Sequence, residues 1–99
     1  MEIDTSQLQV FDNVADSQFE VVYEGATAIL QYVRGPARVI YVHTGVPPEL
    51  EGHGIAAVLA KHALEDARNR GLIVVPRCPY VRAYIDRHPE YADLLEVPA

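Results

Sequence analysis

One stretch constrains this chain more than any other. An apolar, β-rich run, Val39-Ile40-Tyr41-Val42, leads through His43-Thr44 into a turn-rich segment, Gly45-Val46-Pro47-Pro48-Glu49-Leu50-Glu51. Gly52-His53-Gly54 then opens a helical pattern that stops at Gly71, and Leu72-Ile73-Val74-Val75 follows at strand length. Within the helical stretch, Ile55, Ala56, Leu59, Ala60, Ala63 and Ala67 recur at three- and four-residue spacings on one face. That face is mostly alanine, so the helix can lie close against a sheet. Asp66 and Arg70 form a favourable i, i+4 pair on the helix, and Gly71 supplies its stop. Strand, glycine loop, helix, strand predicts a β-α-β unit with a right-handed crossover. The run at 72–75 is apolar throughout and reads as a central strand covered on both faces.

Upstream, residues 1–6 read as a loose end and residues 8–11 as a short edge strand. Asp12-Asn13 and Ala15-Asp16-Ser17 carry turn chemistry. Residues 19–23, 28–33 and 38–43 read as strands two to four. The short turns Glu24-Gly25 and Arg34-Gly35-Pro36 join them into an antiparallel meander. Downstream, Pro76 ends strand five, a last helix covers residues 79–87, and His88-Pro89 breaks it. Tyr91 to Leu95 adds one more turn. The fold class is therefore α/β, a mixed and mostly antiparallel sheet with one β-α-β unit. With 99 residues, the chain is expected to form a single domain over 1–99.

Charge and composition narrow the function classes. A net charge of −6 argues against a nucleic-acid partner, which wants clustered Lys and Arg. No apolar run approaches the roughly 20 residues that span a bilayer, so no membrane partner is expected. Met1-Glu2-Ile3-Asp4 lacks the basic and apolar regions of a signal peptide. Cys78 is the one cysteine, which excludes an intrachain disulfide and fits a reducing compartment. A cytoplasmic protein, monomeric or weakly dimeric, is the expectation. Without a Cys pair, and with no two histidines spaced for one helical face, no metal site is expected.

Three features could carry chemistry. Gly52 and Gly54 let a ligand approach the backbone where a helix N-terminus aims free N–H groups and its dipole at one point, an arrangement suited to phosphate. The alternative is a helix start that needs flexible residues after a proline turn. Neither a P-loop nor a dinucleotide fingerprint fits, because no Lys-Ser or Lys-Thr follows and the third glycine is missing. Cys78 precedes Pro79, a residue favoured at the first helical position, with Arg77 and Arg82 nearby. Such surroundings favour a thiolate, whereas the alternative is a small packing residue. His43, at the end of strand four, is either a proton acceptor or a structural histidine bonded to the adjacent turn. The tyrosines Tyr23, Tyr32, Tyr41 and Tyr84 read as packing residues.

The run Pro47-Pro48-Glu49-Leu50-Glu51-Gly52-His53-Gly54-Ile55-Ala56, between an apolar strand and a long helix, resembles the acetyl-CoA-binding motif of the GCN5-related N-acetyltransferases. His43-Thr44-x-Val46-Pro47, Val75-Pro76-Arg77-Cys78-Pro79-Tyr80-Val81 and Arg87-His88-Pro89-Glu90-Tyr91 are similar to a subfamily of minimal members of about a hundred residues. The resemblance spans residues 19–95. It implies a sheet that parts between strands four and five, with acetyl-CoA in the opening. Backbone amides from Leu50 through Glu51, Gly52, His53, Gly54 and Ile55 to Ala56 would hold the pyrophosphate. The backbone at Val42 and His43 would hold the pantetheine arm. The motif usually begins with Gln or Arg where this chain has Glu49, so any side-chain help would come from Lys61, Arg68 or His53. The resemblance also implies an amine acceptor, either a small amine or a protein lysine; Cys78 would then be the nucleophile or a thioester-side group, and His43, by its place at the end of strand four, a candidate base. Larger members carry two further helices that shape the acceptor site, and this chain has no room for them. The alternatives from different classes are a CoA-binding module without efficient catalysis and a small interaction domain whose glycine loop is only a turn.

Overall fold

The computed structural model of the chain describes residues 3–95. Five strands form one sheet: β1 (Phe11–Asn13), β2 (Gln18–Tyr23), β3 (Ala26–Arg34), β4 (Arg38–Gly45) and β5 (Ile73–Pro76), lying side by side in that order. The first four pair antiparallel, and β5 joins β4 in parallel. Glu24 and Gly25 both take positive φ at the β2–β3 turn, the twist a two-residue hairpin requires. Helix α1 (Ile55–Arg70) makes the crossover from β4 to β5, and α2 (Pro79–Arg87) follows β5. A 3-10 helix at Pro89–Leu94 supplies the extra turn expected near Tyr91.

Strand alternation sends Phe19, Val21, Ala28, Leu30, Tyr32, Val39, Tyr41 and Val74 to one face, where they are buried in a single cluster with Leu59, Ala60, Ala63, Leu64 and Ala67 of α1 and Val81 and Ile85 of α2. The small α1 side chains bring the helix backbone close enough for the Tyr41 hydroxyl to donate to the Ala63 carbonyl at 2.5 Å. The opposite face has no helix over it. Val22 and Val33 remain 61 % and 58 % exposed there.

The expectation of a central, doubly covered β5 is overturned. The strand sits at the edge of the sheet, and its outer side carries one isolated bridge, Val74 to Leu95. Ile73 is exposed and Val75 half-buried on the uncovered face. An apolar run states that a strand tolerates burial, and the absence of a second helical layer leaves half of this one in solvent. The N-terminal region is also corrected. Residues 8–10 are not paired; strand β1 begins at Phe11 and includes Asp12 and Asn13, which carried a turn signal. Ahead of it Thr5–Gln7 forms a 3-10 turn capped by Asp4, where a loose end was expected. Residues 1–2 of that stretch lie outside the described residues.

At the end of the sheet where β4 begins, the Asp66–Arg70 pair forms at 2.8 Å and is part of a larger network. Arg34 bridges Asp12 and Asp66 at 3.0 and 3.3 Å, and Arg70 reaches Asp12 at 3.7 Å. The Arg34 guanidinium lies over the Tyr32 ring, 4.3 Å from its centroid. This network ties β1, β3 and α1 together and leaves the other end of the sheet to carry the candidate site.

Candidate functional site

β4 and β5 pair only from Arg38 with Ile73 to Tyr41 with Pro76. One further bond, from the Cys78 N–H to the Tyr41 carbonyl at 2.8 Å, closes the apex. β4 then runs on from Val42 to Gly45 with pairing to β3 alone. Four residues at about 3.3 Å each give roughly 13 Å of open strand edge.

A bulge lies at the point of divergence. Gln31 pairs with His43 and Tyr32 with Tyr41, so Val42 is an extra residue in β4. A bulge bends its strand and changes which side chains face each way. Plain alternation from the buried Tyr41 would place His43 in the core. With the extra residue, His43 turns to the uncovered face and Thr44 turns inward. Gly45 accommodates the result: a Cβ there would stand 3.3 Å from the His43 Nε2.

Cys78 is the N-cap of α2, as expected, with Pro79 as the first helical residue. Its side chain is 2 % exposed, and its Sγ lies 3.3 Å from the Thr44 Oγ1. Cys78 and His43 therefore flank the open edge from opposite faces of β4. No contact joins them. Thr44, which connects β4 to the thiol, was not singled out in the sequence. Its position next to His43 was visible there, but its inward orientation depends on the bulge.

The turn before α1 is a short 3-10 helix, Pro48–Leu50, with Leu50 buried as its anchor. Gly52 and Gly54 follow at φ +83° and +79°, and Gly54 caps α1 without a side-chain bond. Left-handed backbone at both positions is inexpensive only for glycine. The Leu50 and Glu51 N–H groups are used within the turn, bonded to Pro47 and Pro48 carbonyls. Among the described residues, the N–H groups from Gly52 to Ala57 find no acceptor in the protein, and the first helical bond outside the helix is Val58 N–H to Gly54 O at 3.2 Å. The unpaired amides thus run over 52–57, against the 50–56 expected to face an anion. Glu51, Gly52, Gly54, Ile55 and Ala56 line a cavity of about 340 Å³ with Val46, Leu50 and Tyr80. Glu49 is exposed and stands outside this lining, whereas Glu51 is part of it. His53 is half-buried in the loop.

Tyr80 is a residue the sequence reading passed over. It lies two positions after Cys78 and reaches the loop cavity from α2. Burial pushes its phenol above the ordinary range, with Arg87 acting against that shift. Arg68, by contrast, is spent elsewhere: it holds Asp93 at 2.9 and 3.0 Å and the Glu90 carbonyl at 2.8 Å, near the far end of α1. Lys61 is exposed, six residues into α1 and about 9 Å along its axis from Ile55.

A parting of parallel strands, a row of free amides at a helix start and a buried thiol beside the apex all lie at the same end of β4 and β5. Residues 18–94 match the family model of the GCN5-related N-acetyltransferases. The chain belongs to that family. The solution structure of a GCN5-like candidate N-acetyltransferase from Staphylococcus aureus superposes with a TM-score of 0.70 at 24 % identity, covering 95 % of this chain and 93 % of that one. At that identity the likeness speaks for the fold. No curated protein matches the chain. Family and fold together support acyl transfer as the chemistry of this N-acetyltransferase-family domain. Among the described residues, no group of three or more His, Cys, Asp and Glu side chains could hold a metal ion, and no helix is long and apolar enough to cross a membrane.

Proposed function

We propose that this domain transfers acetyl from acetyl-CoA to an amine. The observation that carries the reading is the open edge of β4 at 42–45 beside the unpaired amides at 52–57. The amides and the α1 dipole suit a pyrophosphate. The Val42–His43 edge suits an amide-bearing arm that completes the missing strand pairing. A helix terminus gives an anion roughly 0.3–2 kcal/mol, whereas micromolar binding needs about 8 kcal/mol. Several amide hydrogen bonds and burial of the arm between β4 and α2 must supply the rest.

The thioester carbonyl then lies near the Tyr41–Cys78 apex, with Cys78 on the helical side and His43 on the uncovered side. In the covalent route, the Cys78 Sγ bonds to the acetyl carbon as the bond to the CoA sulfur breaks, and the thiol proton leaves on that sulfur, so CoA departs as the free thiol. The amine nitrogen next attacks the acetyl-cysteine, its proton passes to His43, and the Cys78 thiolate departs. The burial of Cys78 at 2 % favours a second reading, direct transfer. There the amine attacks the CoA thioester itself, His43 takes the same proton, and Cys78 with Thr44 forms the wall behind the carbonyl. The uncovered face supplies the acceptor's approach in both.

The test is incubation with acetyl-CoA followed by intact-protein mass spectrometry and a free-thiol assay with a panel of amines. The covalent route predicts an acetyl adduct on the wild type that Cys78→Ser abolishes, along with amine-dependent CoA release. Unchanged release in Cys78→Ser leaves direct transfer. If acetyl-CoA binds but no amine releases CoA, the domain is a binding module.

A further inference from the structure

We infer that Lys61 and the cavity around it bind the 3′-phosphoadenosine end of coenzyme A and make the protein discriminate CoA from dephospho-CoA. This inference rests on the acetyl-CoA reading above and deepens it. A second cavity of about 700 Å³ adjoins the loop cavity, and the two share Gly54. From there it follows α1 past Ala57 and Val58 to Lys61 and is walled on another side by Leu8 and Val10. A ligand whose pyrophosphate sits on the 52–57 amides therefore has one end directed into the strand opening and the other into this cavity.

Charge decides what the cavity accepts. Coenzyme A carries a 3′-phosphate besides its pyrophosphate, and the protein carries a net charge of −6. The amides accommodate the pyrophosphate, and a second phosphate needs a cation. Among the described residues, Asp12 and Asp66 hold Arg34 and Arg70, Asp93 holds Arg68, and Arg38 is engaged as well. Lys61, Arg77, Arg82 and Arg87 form no ion pair there. Of these four, Lys61 alone lines the cavity that opens on the glycine loop; Arg82 lines a smaller one at the outer edge of β5. Glu65 also lines the Lys61 cavity, but its Oε2 accepts the Tyr91 hydroxyl at 2.6 Å. Lys61 stands about 9 Å along the helix from Ile55, on the stretch of α1 that lines this cavity. Leu8, Val10 and Val58 offer the apolar contact that an adenine ring uses.

The experiment is calorimetric titration of the full chain with CoA and with dephospho-CoA, repeated for Lys61→Gln and for the control Arg82→Gln. Lys61 is exposed, so its substitution does not threaten the fold. A charge-assisted phosphate contact predicts that wild type binds dephospho-CoA about tenfold or more weaker than CoA. Lys61→Gln should bind both ligands alike, at the dephospho-CoA level, while Arg82→Gln keeps the wild-type ratio. Equal wild-type affinity for the two ligands, or a ratio that survives in Lys61→Gln, overturns the inference and leaves the acetyl-CoA reading standing. Binding of neither ligand overturns both.

Discussion

The two halves of β4 have the same neighbours in sequence terms and opposite fates. From Arg38 to Tyr41 the strand is paired on both sides, and Val39 and Tyr41 are buried. From Val42 to Gly45 it is paired on one side, and Val42 and His43 are exposed. One inserted residue separates the halves. The closed half is held by the Tyr41–Ala63 bond, with the four-residue charge network of β1, β3 and α1 at the same end of the sheet; the open half faces amides without a partner among the described residues. On the proposed reading, stability and ligand capacity are segregated along a single strand. Substitutions in one half should change stability, and in the other binding.

The largest effect belongs to the closed half. Tyr41→Ala empties a buried aromatic site and orphans the Ala63 carbonyl, and should cost about 3–5 kcal/mol, read as a fall in the urea midpoint. Arg34→Leu removes the bridge between Asp12 and Asp66. It should cost about 2 kcal/mol, with acetyl-CoA affinity of the folded fraction unchanged. Both results would sharpen the division, and a Tyr41 or Arg34 variant that unfolds little but loses ligand would break it.

In the open half the pattern should invert. Gly54→Val forces a side chain into left-handed backbone at about 1–2 kcal/mol and disorders the amide row. Acetyl-CoA affinity should fall about tenfold or more, measured by calorimetry, with a smaller stability loss than Tyr41→Ala. A smaller effect concerns the uncovered face. Hydrogen bonds from Gln18 and then Asn13 hold the Glu20 carboxyl below its ordinary 4.5. A carboxylate depressed in the folded state contributes stability above the unfolded value, and that contribution is lost as pH falls through the folded value. Glu20→Gln should therefore lower the thermal midpoint slightly at neutral pH and flatten the acid side of its profile below pH 4.5, where the two proteins converge. The smallest expected change is a gain: Glu51→Gln removes a carboxylate from the loop-cavity lining and should tighten acetyl-CoA binding slightly, more so at low salt.

Much of the closed half was legible in the sequence. The alanine stripe from Ala56 to Ala67, the stop at Gly71 and the Pro79 helix start are local signals, and each element formed within a few residues of its expected limits. Leu64 belongs to the same buried face and follows from the same period. The edge position of β5 was not legible, because hydrophobicity reports tolerance of burial rather than the number of layers available. The bulge at Val42 was not legible either. Nothing in Tyr41-Val42-His43-Thr44 distinguishes a regular strand from one with an extra residue, yet that residue decides which of His43 and Thr44 meets Cys78. The glycine loop announced itself through residue type, while its free donors became evident only once Leu50 and Glu51 were seen to use theirs.

The central claim is that the open edge of β4 and the amides before α1 form one acetyl-CoA site. An amide-resolved NMR titration of the full chain with acetyl-CoA tests it directly. The prediction is saturable shifts concentrated at residues 42–45 and 52–57, with little change at 38–41. Shifts absent from both open segments, or confined to the closed half of β4, would contradict it.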